Sequence, residues 1–425
     1  MGMMDTKDLT GKAIVFLADG MADDPLEELN GMSPLAYAPT PFMDRIAALG
    51  ASGTFLSLPE GFPTSSDAAN MSVLGYSLAR YYPGRGPIEA VSQDLPLGPD
   101  DIAWRCNLVT EKDGILKDYS AGHIAQEHTD ILMKALQDRF GSSKVSFHPG
   151  VSYRNLLVLH GREFSADVGY FKPDASQDEP VASKPWTPLK DTEEARHTAA
   201  FITELVKEAR AFLAEHPLVR EGKTAGNAIW PWSPGRKPAF PAFSDKYAGK
   251  KGAVITAVDV IAGLGKCAGM DVIPVPGATG YIDTNYEGKA QAAIRAVEDH
   301  DFVYVHLEAI DETSHEGRLD LKLQAIEDLD SRIVKPVMLA LQERGVTFAV
   351  LPDHPVPLHL RKHTRTPVPV AVCGPHITPD SVMRYTEQDA PHGSLGAMSG
   401  DQFMCKVLNL KQQEQTGPQR WVKQS

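Results

Sequence analysis

The chain has 425 residues, of which 42% are hydrophobic and 23% charged, and a net charge of −13. That length predicts two or three domains with sizeable apolar cores. The acidic balance argues against a nucleic-acid-binding or anionic-membrane surface, but it leaves room for an anionic small molecule held by a few local cations. No run approaches ~18 apolar residues, so no membrane-spanning helix is expected. The opening stretch MGMMDTKDLTGK carries no apolar leader-like run. Cys106, Cys267, Cys373 and Cys405 lack CxxC spacing and read as reduced thiols of a cytoplasmic protein.

In chain order, KAIVFLADG reads as a short buried strand that places Asp19 at its carboxyl end. Thr40-Pro41 starts a helix that Gly50 ends, and a strand follows near Gly53–Leu58. The next loop is FPTSSDAANMSVLGYS. Its Thr64, Ser65, Ser66, Asp67 and Asn70 suit a helix N-cap, and equally a serine nucleophile at a helix N-terminus, where backbone N–H groups favour anions. The residues alone leave both open. From about Arg105 to Lys190, strand-like CNLVT, KVSFHPGVSY and NLLVLHG surround an amphipathic helix, HTDILMKALQDRF, and suggest a small α+β insertion. FKPDASQDEPVASKPWTPLKD reads as loop or hinge, Asp191–His216 as a strong helix, and NAIWPWSPGRKPAFPAF as irregular.

Strand–helix alternation then resumes from GAVITAV to the end, with a helix Leu319–Gly345 that Pro336 should kink or break. Consecutive strands with helical crossovers predict a mostly parallel sheet covered on both faces. GLGKCAG lacks the spacing of a dinucleotide-binding turn. The two strands Phe302–Leu307 and Val346–Leu351 each lead into carboxylate and histidine residues: Asp311 and His315 after the first, Asp353, His354 and His363 after the second. Carboxylates and imidazoles in loops at strand carboxyl ends suit a divalent metal such as Zn or Mn. His306 and Glu308 read as packing groups that orient those ligands.

With Asp19, Ser66, Asp311, His315, Asp353, His354 and His363 in this order, the chain is similar to alkaline-phosphatase-superfamily enzymes. More narrowly, it resembles the cofactor-independent (2,3-bisphosphoglycerate-independent) phosphoglycerate mutases of the archaeal type. The blocks that carry the resemblance run through nearly the whole chain: LADGMADDP, NGMSPLAYAPTPFMDRIAALG, SSDAANMSVLGY, YYPGRGPIEA, WRCNLVT, DYSAGHI, VPGATGYIDTNYEGKA, HLEAIDETSHEG and LPDHPVPLHLRKHT.

The resemblance implies an α/β alkaline-phosphatase-like core with a smaller inserted α+β cap, residues 1–104 and 191–425 forming the core and 105–190 the cap. It implies interconversion of 3-phosphoglycerate and 2-phosphoglycerate through phosphorylated Ser66, without 2,3-bisphosphoglycerate. Two divalent ions are implied, Mn²⁺ first, with Zn²⁺, Co²⁺ or Mg²⁺ as alternatives. One would be held by Asp311, His315 and His363, the other by Asp19, Asp353 and His354 with the Ser66 oxygen. Arg154, Arg236, His123 and Arg85 are the expected contacts of a small phosphorylated hydroxy acid. The chain departs from the family pattern at Ser65, where the family has Gly, and at Asn70, where many archaeal-type members carry His. Asn155 leaves no carboxylate beside Arg154 to shuttle a proton. A phosphatase, or a phosphotransferase on another small hydroxy acid such as homoserine, is the rival that keeps the same site.

Overall fold

The computed structural model describes residues 8–411; the first seven residues, part of the stretch read as lacking a leader, lie outside the described residues, as do 412–425. Two compact units are present, Met1–Tyr82 with Phe240–Ser425, and Pro83–Ala239. The 105–190 segment expected as an insertion lies inside the second unit.

The first unit is built on an eight-stranded sheet. Its order is Asp271–Val272, Gly252–Ile255, Phe302–Leu307, Ala13–Ala18, Thr347–Leu351, Val368–Cys373, Ala51–Phe55 and Gly396–Met398. All neighbours are parallel except Val368–Cys373, which runs antiparallel to both of its own. Ala13–Ala18 and Phe302–Leu307 are buried along their whole length, which is why they read as unbroken apolar runs. Helices Pro41–Ala48, Tyr286–Asp299 and Lys335–Leu341 contribute to the apolar core around these strands.

Two readings of this unit change. The strand expected from MDVIPV shrinks to Asp271–Val272 at the sheet edge. The long helix expected over Leu319–Gly345 is segmented: an α-helix at Leu319–Asp328, a π-helical turn at Leu329–Val334, then a helix from Lys335. Pro336 lacks an N–H and falls in the first turn of the last segment, where none is required.

The second unit holds a five-stranded antiparallel sheet around the long strand Ile102–Lys112. NAIWPWSPGR corrects the expectation of irregular chain: Ala228–Arg236 is a strand paired with Ile102–Val109. Trp230 and Trp232 are buried there, and a register shift between Ala103 and Arg105 interrupts the ladder. Helices Gln126–Phe140 and Glu193–Ala214 supply Leu132, Met133, Ile202 and Ala209 to the core of this unit. Thr192 caps the second helix through the Ala195 N–H. The Pro-rich segment read as loop or hinge belongs to the same core through Trp186, whose Nε1–H donates to the Pro231 carbonyl at 2.8 Å.

Candidate active site

Three adjacent parallel strands end at one point. Asp19 follows Ala13–Ala18, the helix Ala309–His315 follows Phe302–Leu307, and Asp353 and His354 follow Thr347–Leu351. Gly20 permits the approach. Its φ is +65°, and a Cβ there would lie 2.7 Å from Asp311 Oδ1.

Two clusters result. In one, ligand atoms of Asp311, His315 and His363 lie within 4.8 Å of one another; in the other, those of Asp19, Asp353 and His354 do. The rings of His354 and His363 stack at 3.8 Å between centroids, so the clusters are neighbours. Ser66 is the first residue of helix Ser66–Val73, and its Oγ is 3.2 Å from His354 Nε2. Capping does not account for the serines of this loop. Ser65 occupies the N-cap without a side-chain capping bond, and among the described residues its buried Oγ has no partner.

The buried cluster is densely supported. Asp353 Oδ1 accepts from Gly20 N at 3.2 Å and His354 N at 2.8 Å, and Oδ2 from Asn70 Nδ2 at 2.8 Å. Lys322, fully buried, donates to Asp23 Oδ2 at 2.8 Å and to the carbonyls of Gly20 at 3.3 Å and Val356 at 3.1 Å, tying together the loops that carry Asp19 and Asp353–His354. Lys289, also buried, donates to the His306 carbonyl at 2.8 Å.

The electrostatics ask for positive charge. Burial, then the negative charges of Asp353 and Glu308, pushes the Asp19 carboxyl well above its ordinary range. Burial pushes Asp353 up to about 7, and Glu308 to about 8 with Asp311 as the next cause. Burial and the facing His363 hold His354 far below the usual imidazole value, hence neutral. At Asp311 burial acts upward, but the facing imidazoles of His315 and His363 outweigh it and hold the carboxyl well below its usual range. Burial opposes protonation of His315, yet Asp311 raises it to about 9.

A divalent cation fits these residues. Asp19 Oδ1 and Asp311 Oδ1 are buried without a hydrogen-bond donor among the described residues, and each faces a histidine Nε2, at 3.4 Å and 3.5 Å respectively. Neutral imidazoles and crowded carboxylates are the donor chemistry of such an ion.

The four residues expected to contact substrate all lie in the second unit, and the structure groups three of them. Arg85 Nε donates to the buried Glu89 carboxylate at 2.7 Å, and Arg105 pairs with the same carboxylate. Burial acts upward on Glu89, but Arg105, Arg85 and Arg154 together hold it below its ordinary value. Two guanidiniums thus share one carboxylate, and the charge of a third, Arg154, acts on it. Arg154 also lies over the Tyr153 ring at 5.4 Å, and His123 packs on that ring at 6.0 Å. Arg236 stands apart. It pairs with Ile102 whereas Arg154 pairs with Asn107, about 17 Å along the same strand. Its guanidinium donates to the Phe164 carbonyl at 3.1 Å.

A serine beside two carboxylate–histidine clusters, at the carboxyl end of a mostly parallel sheet, marks an α/β enzyme. The family model for 2,3-bisphosphoglycerate-independent phosphoglycerate mutase matches residues 47–219. The enzyme of that name from Methanosarcina acetivorans is 45% identical over 407 residues, covering 94% of this chain and 100% of that one. A probable mutase of the same kind from Geobacter sulfurreducens is 42% identical, again covering 94% and 100%. Among solved structures, a Pyrococcus horikoshii protein aligns with TM-score 0.78 at 28% identity, covering 96% of this chain and 99% of that one. The cofactor-independent phosphoglycerate mutase of Thermoplasma acidophilum aligns with TM-score 0.62 at 28% identity, covering 94% and 98%. The chain belongs to the 2,3-bisphosphoglycerate-independent phosphoglycerate mutase family.

Proposed function

We propose that the chain interconverts 3-phosphoglycerate and 2-phosphoglycerate through a phosphoserine at Ser66. The observation that carries this reading is the Ser66 hydroxyl on the first turn of its helix, 3.2 Å from His354 Nε2 and beside both clusters. Unbonded N–H groups of that first turn favour an anion there.

In this reading Asp311, His315 and His363 hold one divalent ion, and Asp19, Asp353 and His354 with Ser66 Oγ hold another, Mn²⁺ before Zn²⁺, Co²⁺ or Mg²⁺. Such ions supply positive charge to the phosphoryl oxygens and favour the ionised serine. Ser66 Oγ bonds to phosphorus as the bond from phosphorus to the 3-oxygen breaks, leaving phosphoserine and glycerate. The 2-oxygen of the retained glycerate then takes the phosphoryl group and frees Ser66. The serine proton leaves with the 3-oxygen, and one returns from the 2-hydroxyl, so atoms and charge balance. Because the phosphoryl group waits on Ser66, no 2,3-bisphosphoglycerate is needed.

We assign to the second unit the holding of the substrate's carboxylate and the exclusion of water expected of the 105–190 cap. Three guanidiniums whose charge acts on Glu89 support an anion site, with Arg154, Arg85 and His123 as contacts and Arg105 as a residue the sequence did not single out. Arg236, the fourth expected contact, spends a guanidinium N–H on the Phe164 carbonyl. A cytoplasmic setting accords with this chemistry, and no helix among the described residues is long and apolar enough to cross a membrane.

The test is turnover of 3-phosphoglycerate coupled through enolase, with Mn²⁺ and without 2,3-bisphosphoglycerate. Activity lost in Ser66→Ala and in metal-stripped protein is the expected result. No turnover by fully metallated wild type, with phosphate release or transfer to homoserine instead, would establish the rival acceptor.

A further inference from the structure

Strand Phe302–Leu307 presents Tyr304 and His306 on one face, and both are fully buried. Their polar atoms must therefore be satisfied within the protein. His306 Nε2 lies 2.9 Å from Asp19 Oδ2, and its Nδ1 lies 3.1 Å from Thr256 Oγ1. The ionised aspartate, the form that takes a cation, only accepts, so Nε2 then carries the proton and Nδ1 must accept. Thr256 can donate, because its oxygen already accepts from Val258 N at 3.0 Å and its own hydrogen remains. The second residue argues the same way. Asn70 Nδ2 reaches Ser66 O at 2.9 Å and Asp353 Oδ2 at 2.8 Å, which uses both amide hydrogens. Asn70 Oδ1 then has to face the Tyr304 hydroxyl, 2.6 Å away, and Tyr304 has to donate.

Two one-way chains follow, Thr256 to His306 to Asp19 and Tyr304 to Asn70 to Asp353. They end on the two carboxylates of a single cluster. From this we infer that strand Phe302–Leu307 is a positioning template for the buried cluster. It turns both carboxylates so that, among the described residues, Asp19 Oδ1 is the one carboxylate oxygen of the cluster without a donor, available to a divalent cation. Tyr304, Asn70, His306 and Thr256 are positioning residues for that ion and do not touch the reacting phosphorus. The inference rests on the metal reading above. The open cluster is anchored differently, with His315 Nδ1 donating to the Arg361 carbonyl at 2.9 Å. The effect should therefore fall on one bound ion only.

Mn²⁺ titration calorimetry on the full-length protein tests this with Thr256→Val, Tyr304→Phe, His306→Leu and His306→Gln. Wild type is expected to bind two equivalents. Thr256→Val and Tyr304→Phe should each weaken one equivalent by about 10–100-fold and leave the other unchanged. His306→Leu should abolish that equivalent, and His306→Gln, which retains an N–H, should restore part of it. In ¹⁵N-histidine spectra of wild type loaded with diamagnetic Zn²⁺, where Asp19 is ionised, His306 should carry its proton on Nε2. Unchanged affinities in Thr256→Val and Tyr304→Phe, equal weakening of both equivalents, or a proton on His306 Nδ1 would each overturn the template. A wild type that binds no Mn²⁺ would remove the metal reading and the template together, an outcome distinct from the others.

Discussion

The two carboxylate–histidine clusters share their donor types and differ in surroundings. The side chains of Asp19, Asp353 and His354 are 0% exposed, whereas His315 is 35% and His363 16% exposed. In the buried cluster every carboxylate oxygen except Asp19 Oδ1 accepts a hydrogen bond from a named neighbour. In the open cluster His315 and His363 face each other, Nε2 to Nε2, at 2.9 Å. The charge balance differs as well. Two buried carboxylates crowd one neutral imidazole in the first cluster, and two imidazoles surround one carboxylate in the second. A buried charge without compensation costs several kcal/mol, so the first set must be held in place by the rest of the fold. The second set needs less support and leaves a side open to solvent.

Removing one ligand from each cluster should separate them most sharply. Asp19→Asn is expected to lower mutase turnover on the order of 10³-fold and to eliminate one Mn²⁺ equivalent. Yet the metal-free protein should become more stable. The Asp19 carboxyl is raised by burial and by its carboxylate neighbours, so its ionisation opposes folding at neutral and higher pH, an effect absent in acid. Scanning calorimetry at pH 8 should show Tm rising by about 2–4 °C, a gain that fades as pH falls. His315→Asn should do the opposite. Its raised value means that His315 stabilises the fold below its unfolded value, and that this stabilisation is lost as pH climbs through about 9. Removing it should lower the metal-free Tm at pH 7. Shifts of the same sign in both variants would break the comparison.

Lys322→Met probes the support rather than the ligands. It leaves Asp23 buried without its cation and releases the Gly20 and Val356 carbonyls. A loss of about 3–5 kcal/mol in urea unfolding of metal-free protein is expected. A loss below ~1 kcal/mol would show that the two loops of the buried cluster do not depend on this pair.

Much of the site was legible because its ligands sit where strand periodicity stops: Asp19 after AIVFLA, and Asp353–His354 after TFAVL. The sheet was legible for the same reason, as buried strands write themselves as apolar runs. Two features were not. Ala228–Arg236 was read as irregular because its prolines obscure a strand whose burial comes from Ile229, Trp230 and Trp232. The grouping of Arg85, Arg105 and Arg154 around Glu89 depends on cross-strand register, which no local pattern encodes. The buried lysines did leave a trace. Lys322 keeps helical spacing with Ile326 and Leu329, and Lys289 with Ala292, Ala293 and Ala296. A cation on a core-facing stripe signals a buried partner, though only the fold says which.

The finest separation of the clusters is the pH dependence of their affinities. Ligands must be deprotonated before a metal binds, so the slope of log affinity against pH counts the protons released. At the open cluster Asp311 is already ionised, and His315 keeps a proton up to about 9. Its affinity should climb by about one log unit per pH unit from pH 6 to about 9. At the buried cluster His354 is already neutral, while Asp353 holds a proton up to about 7 and Asp19 is raised further from its ordinary value by burial and like charge. Its affinity should rise more steeply below pH 7, by about two log units per pH unit, and more gently above. Mn²⁺ calorimetry between pH 6 and 9, run in buffers of different ionisation heat, measures both slopes directly. Equal slopes would mean that the buried carboxylates do not keep their protons in the metal-free protein, and that burial alone does not distinguish the two clusters.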